Sequence, residues 1–216
     1  MPSKLRLRRI FRPLVKVLAK GLSKVGMTAN LATWIMLGLA FLSSIFLVGF
    51  RNLFLFGLFV FFCGLFDGID GAISRINNTS SSTGGFFDST MDRISEFVIF
   101  TGLLFYHWEQ QIWQLIDMRI IIMVAFLASI MISYSRARAE IIYQGDYDIG
   151  LMARSERLFY IFIAACIGQF FGYFSELIVL FMCLVIATAL FRFLKINSQI
   201  KTYVNKQKAK EEIKEN

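Results

Sequence analysis

Residues 67–92 read DGIDGAISRINNTSSSTGGFFDSTMD. Asp67 and Asp70 open the stretch, and Asp88 and Asp92 close it. Between them lie Gly71, Ser74, Arg75, a Ser/Thr/Asn-rich connector and the pair Gly84 and Gly85. Apolar runs flank the stretch at 53–66 and 97–105. Spacings of i, i+3 and i, i+4 put each acidic pair on one face of a helix. The short connector makes the two helices consecutive and antiparallel, so the four carboxylates converge. Like charges in a low-dielectric site resist joint ionisation unless cations join them. Oxygen donors with no His or Cys beside them favour Mg2+, Mn2+ or Ca2+ over Zn2+. Two hard cations on four aspartates suit phosphoryl transfer. Gly71 allows a ligand close to the backbone, and Arg75 offers a cation to phosphate. Ser80, Ser81, Ser82 and Thr83 add hydroxyls, and the helix start after Gly85 adds N–H donors.

The 216-residue chain is 56% hydrophobic, with 24 Phe and 2 Pro, and its mean hydropathy is +0.61. Soluble domains lie nearer ~45–50% apolar. The excess is arranged in runs, which makes this an all-α integral membrane protein. Six transmembrane helices are expected at 31–50, 53–74, 86–107, 119–143, 154–173 and 176–195, each near the ~20 residues that cross a bilayer. Residues 1–26 form a first segment, 27–196 the membrane domain and 197–216 a charged tail that is either a solvated helix or disordered. No cleavable signal peptide is evident.

The first segment carries Lys4, Arg6, Arg8, Arg9, Arg12, Lys16, Lys20 and Lys24 and no acid. Leu7, Ile10, Phe11, Leu14, Leu18, Leu22 and Val25 recur at helical spacing, so an amphipathic juxtamembrane helix on anionic lipid is expected, bent or started at Pro13. The apolar face and the span that follows exclude a nucleic-acid-binding arm. Cys63, Cys166 and Cys183 fall inside apolar runs and read as buried small hydrophobes. His107, between Tyr106 and Trp108, reads as interfacial packing.

With the N-terminus in the cytoplasm, all of the 23 Lys and Arg except Arg51 and Arg119 fall on the cytoplasmic side. That bias places both termini there, in a multi-pass cell-membrane protein. Tyr106, Trp108, Trp113 and Tyr173 then form an outer aromatic belt. The four aspartates, Arg136, Arg138, Arg154, Arg157 and Arg192 all come to one layer near the cytoplasmic surface. Ionisable residues at that depth mark a functional site.

The pattern Asp67, Asp70, Gly71, Ser74, Arg75, Gly84, Asp88 and Asp92 resembles the signature of the CDP-alcohol phosphotransferases. The six spans and the basic N-terminal helix are similar to that family as well. The resemblance implies two Mg2+ ions, with Mn2+ as a substitute. Asp67 and Asp88 would bridge them, Asp70 would complete one and Asp92 the other. Asp92 would also be the catalytic base for the acceptor hydroxyl. Gly71, Arg75 and Ser81 match CDP-contacting positions, with Ser74 beside them, and Asn30 in MTANLAT matches the segment over the nucleotide. The hydroxyl would attack the β-phosphorus of CDP-diacylglycerol or CDP-archaeol and release CMP. A homodimer among membrane lipids is implied. Ser74 stands where the family usually has Ala, and Ala29 where it commonly has Pro.

SYSRARAE and GLMARSERL resemble the phosphatidylinositol-phosphate synthase branch and its archaeal counterpart. That branch implies inositol 1-phosphate as acceptor, its phosphate held by Arg136, Arg138, Arg154 and Arg192. Several arginines in one layer suit an anionic acceptor better than free inositol. Glycerol 3-phosphate is the second acceptor to weigh. Beyond this chemistry, a divalent-cation transporter or an inactive scaffold remain as alternatives.

Overall fold

Asn52 and Thr28 show how the helices begin. The Asn52 carboxamide accepts from Leu55 N at 2.9 Å and the Thr28 hydroxyl from Leu31 N at 3.2 Å. Each satisfies a donor that the first turn leaves open. The computed structural model describes residues 7–142, 145, 147 and 149–215, without the side chains of 8, 9 and 208–215. The readings on Lys4, Arg6 and Tyr143, and on the side chains of Arg8, Arg9, Lys208, Lys210 and Lys214, lie outside the described residues.

The order is α1 (Leu7–Lys24), α2 (Ala29–Val48), α3 (Leu53–Ile76), α4 (Ser82–Tyr106), β1 (Gln111–Ile112), β2 (Ile116–Asp117), α5 (Met118–Ile142), α6 (Arg154–Phe171) and α7 (Phe174–Glu215). Helix α2 packs on α3 and α4, α3 on α6, and α5 on α7. Met36, Phe56, Ile99, Ile122, Ile161 and Phe181 belong to the core they share. Four segments are long and apolar enough to cross a membrane: Ala29–Val48, Leu53–Ile76, Met118–Ile142 and Phe174–Gln207. The chain is a membrane protein. Helices α4 and α6, also expected as spans, carry Asp88, Asp92, Arg93, Glu96, Arg154, Glu156 and Arg157 at one end.

Several boundaries differ from expectation. Helix α4 starts at Ser82 rather than 86, because Ser81 caps it by accepting from Gly84 N at 3.0 Å. Gly84 and Gly85 therefore lie in its first turn. The break before α7 comes at Gly172, whose φ of +80 ends α6 in the left-handed conformation. Helix α7 does not stop at 195 but continues through the tail, with Ile196 and Ile200 packed beside Ala139 and Tyr147. Pro13 lies inside α1. The hairpin β1–β2 was not foreseen; its turn holds Trp113 and Gln114 at positive φ, with no Asn-Gly or Gly to announce it. Cys63 is buried, but Cys183 is exposed on α7. An apolar helix face needs no protein cover when lipid surrounds it.

Helix α1 lies along α3, with Val15, Leu18, Ala19 and Leu22 against Ile69, Ala72 and Ile73. Phe11 meets Phe61 and Phe159 at 5.8 Å. Ile10, Leu14 and Val17 remain exposed. At the opposite end of the bundle, Arg51 and Arg119 sit over the rings of Tyr106 and Trp108 at 5.0 and 5.4 Å. His107 is fully buried and stacks on Phe174 at 5.5 Å. Packing explains it.

Close helix contact depends on Gly57. A Cβ there would fall 2.9 Å from Ala165 Cβ and 3.1 Å from the Phe162 carbonyl. Gly57→Ala is expected to destabilise the protein by ~1–3 kcal/mol by forcing α3 from α6. Thermal melting in detergent measures it, and an unchanged midpoint contradicts the contact.

Candidate active site

Asp67 and Asp70 lie in the last turns of α3, and Asp88 and Asp92 in the first turns of α4. One carboxylate oxygen from each of Asp67, Asp88 and Asp92 falls within 4.8 Å of the others. Asp70 is 3% exposed, accepts from Thr33 Oγ1 at 3.0 Å, and lies against the Asp88 carboxylate. All four aspartates thus come together, with Asp70 joined through Asp88 and steadied from α2. Asp88 Oδ1 and Asp92 Oδ1 are buried without a hydrogen bond among the described residues. Buried acceptors of this kind call for a donor or a cation. Carboxylate oxygens at this spacing fit a hard divalent ion.

Arg154, at the start of α6, reaches into the cluster. Its Nε donates to Asp67 Oδ1 at 3.1 Å, its Nη2 to Ser95 Oγ at 2.8 Å, and its Nη1 to the Asp92 carbonyl. Nη2 also lies 3.1 Å from Asp92 Oδ1, an ion-pair distance without hydrogen-bond geometry. Arg93 approaches Asp92 Oδ2 more loosely, at 3.4 Å. The guanidinium offsets charge that the clustered acids otherwise leave unbalanced.

A cavity of about 1040 Å³ opens beside the aspartates. Asp67, Asp88, Asp92, Arg75, Arg136, Arg154 and Arg192 line it, and Phe11, Arg12 and Val15 of α1 close part of its wall. Arg136 pairs with Glu140 at 2.8 Å. Arg192 is 3% exposed; its Nε donates to Ile149 O at 2.8 Å and its Nη1 to Ile132 O at 3.0 Å. Arg138 is exposed and is not among the lining residues. Asn30, Gly71, Ser74 and Ser81 are also outside the lining set. The Arg75 guanidinium lies 3.3 Å from where a Gly71 Cβ would stand, so Gly71 lets Arg75 fold over it. Ser74 Oγ meets Ser80 Oγ at 2.9 Å, and Ser81 is engaged as the α4 cap.

Three contributors went unread in the sequence: Thr33, Ser95 and Glu96, the partner of Arg157. Glu96 had a signal, since it follows Asp92 by four residues and stands directly before the apolar run at 97–105. Thr33 and Ser95 resemble any helix hydroxyl.

A family model described as CDP-alcohol phosphatidyltransferase matches residues 27–210. The chain belongs to this family. This CDP-alcohol phosphatidyltransferase is therefore an enzyme of phospholipid synthesis, and the transporter and scaffold readings end here. It is 33% identical over 168 residues to archaetidylinositol phosphate synthase of Pyrococcus horikoshii, covering 76% of this chain and 82% of that protein. It is 32% identical over 169 residues to phosphatidylinositol phosphate synthase of Mycobacterium tuberculosis, covering 76% and 74%. The crystal structure of the M. tuberculosis phosphatidylinositol phosphate synthase with CDP-DAG bound superposes with a TM-score of 0.72 at 27% identity, over 85% of this chain and 94% of that one. The same protein in complex with manganese and citrate gives 0.72 at 28%, over 84% and 88%. The helical arrangement of this phosphatidyltransferase is thus one already seen around a CDP-lipid and around a divalent ion.

Proposed function

We propose that the chain transfers the phosphatidyl or archaetidyl group of a CDP-lipid to the hydroxyl of inositol 1-phosphate and releases CMP. The observation that carries this reading is one cavity lined both by the aspartates and by Arg136, Arg154 and Arg192. The acids suit a metal-dependent phosphoryl transfer; the arginines suit an acceptor that itself bears phosphate. Relatives named for inositol phosphate products support the same acceptor over glycerol 3-phosphate.

In this reading Asp67, Asp70, Asp88 and Asp92 hold two Mg2+ ions, replaceable by Mn2+, which supply Lewis acidity and charge neutralisation at the phosphates. Asp92 takes the proton of the acceptor hydroxyl as that oxygen bonds to the β-phosphorus and the bond to CMP breaks. Asn30, Gly71, Ser74, Arg75 and Ser81 receive the CDP group. Arg136, Arg192 and Arg154 receive the acceptor phosphate, with Arg138 nearer the surface. Helices α4 and α6 cross the membrane with the other four, making six spans, while α1 lies at the interface with Ile10, Leu14 and Val17 in lipid. The excess of basic residues at the aspartate end supports a cytoplasmic site and cytoplasmic termini. The segments 1–26, 27–196 and 197–216 then serve as interfacial helix, catalytic membrane domain and tail. Assembly as a homodimer completes the proposal; crosslinking in native membranes tests it.

The deciding experiment is CMP release from CDP-diacylglycerol and from CDP-archaeol, with inositol 1-phosphate, glycerol 3-phosphate, free inositol or serine. Turnover is expected only with inositol 1-phosphate, lost in EDTA and restored by Mg2+. Preference for glycerol 3-phosphate overturns the acceptor. Arg192→Gln is expected to raise the KM of inositol 1-phosphate roughly tenfold or more while that of the CDP-lipid stays within about threefold. Equal rises in both contradict a phosphate pocket.

A further inference from the structure

Glu96 and Arg157 meet inside the helical body, with no role assigned above. Arg157 is 0% and Glu96 2% exposed. Two parallel bonds join them, Nε to Oε1 at 2.8 Å and Nη2 to Oε2 at 3.0 Å, while Nη1 donates to the Met152 carbonyl at 3.0 Å. Such a pair adds little net stability, because desolvating both charges offsets their attraction. Its placement suggests another use. Glu96 follows Asp92 by four residues on α4, and Arg157 follows Arg154 by three on α6. The two pairs therefore stack as neighbouring rungs between the same helices. Glu96 reaches the other rung as well, for its Oε2 lies 3.8 Å from Arg154 Nη1. One guanidinium is shared by three carboxylates, those of Asp67, Asp92 and Glu96.

We infer that Glu96, oriented by Arg157, is a positioning residue that draws the Arg154 guanidinium along α4 toward its own turn and so leaves oxygens of Asp67 and Asp92 open to a divalent cation. The inference rests on the metal reading proposed above. Without the Glu96 carboxylate, Arg154 has only Asp67 and Asp92 to pair with, and it competes with the cation for them. The two-pronged bond from Arg157 fixes the Glu96 carboxylate in the plane this requires.

The test uses the full-length protein in nanodiscs, titrated with Mn2+ and followed by electron paramagnetic resonance, beside thermal melting and steady-state kinetics. Glu96→Leu combined with Arg157→Met removes both charges, strands neither, and is expected to melt near the wild type. It should nevertheless bind Mn2+ about tenfold more weakly. Its kcat should fall at least about tenfold, with the CDP-lipid KM changed less than about threefold. A double variant that matches the wild type in melting, Mn2+ affinity and kcat makes the pair a purely structural link and overturns the inference. If the double variant does not fold, Glu96→Asp decides: it keeps the charge but shortens the reach, and unchanged Mn2+ affinity there overturns the inference equally. Failure of the wild type to bind Mn2+ is a separate result, which overturns the metal reading itself.

Discussion

Asp92→Asn is expected to lower CMP release by about three orders of magnitude or more while CDP-lipid affinity stays within about twofold. Asp92 is 8% exposed, so the amide must occupy the same small volume, and it does so without added bulk. The main-chain carbonyl of Asp92, which accepts from Arg154 Nη1, is untouched by the change. What disappears is a group able to accept a proton, together with an anionic oxygen buried without a hydrogen bond among the described residues. Base and ligand are lost in one substitution, which is why the effect is expected to be large. CMP release and CDP-lipid binding by calorimetry, measured on the same preparation, separate chemistry from binding. Residual turnover within about tenfold of the wild type moves the base to another residue.

The second large effect is expected at Arg154. Arg154→Ala leaves Asp67, Asp92 and Glu96 facing one another without the guanidinium that now lies 3.1, 3.1 and 3.8 Å from them. Removing one partner of a buried charge group costs ~3–5 kcal/mol, and the side chain is only 12% exposed, so solvent screens little of it. A divalent cation binding the freed carboxylates offsets part of that loss by mass action. Mn2+ is therefore expected to raise the melting temperature of Arg154→Ala by more than it raises that of the wild type. Turnover should still fall about a hundredfold, since positioning at the α6 start is gone. The opposite pattern, an unchanged melting profile with only the acceptor KM raised, makes Arg154 a phosphate ligand alone.

The sequence carried the helical plan because two signals agreed: apolar runs near bilayer length, and charges confined to their ends. It carried the aspartate site because helix periodicity converts the separations of Asp67, Asp70, Asp88 and Asp92 into a shared face. It did not carry Thr33 or Ser95, because Thr33 meets Asp70 only once α2 packs on α3, and Ser95 meets Arg154 only once α6 is in place. The start of α4 was misplaced because Gly84 and Gly85 look like a loop, whereas the Ser81 cap turns them into a first helical turn. The Trp113–Gln114 turn was invisible, since neither residue favours the positive φ it adopts. Arg138 illustrates another limit. Its spacing from Arg136 suggests a shared pocket, but two residues apart on a helix means divergent directions, and only Arg136 lines the cavity.

Helix α7 runs unbroken for 42 residues. At ~1.5 Å per residue it is a rod of roughly 60 Å, about twice the ~30 Å hydrocarbon thickness. The surplus makes a mast rather than a tether. From Arg192, which lines the cavity, to Glu215 the helix runs on for roughly 35 Å at that rise. A spin label on this stretch of α7 thus has a spacing from the cavity set by helix rise, which makes it a ruler for distance measurements.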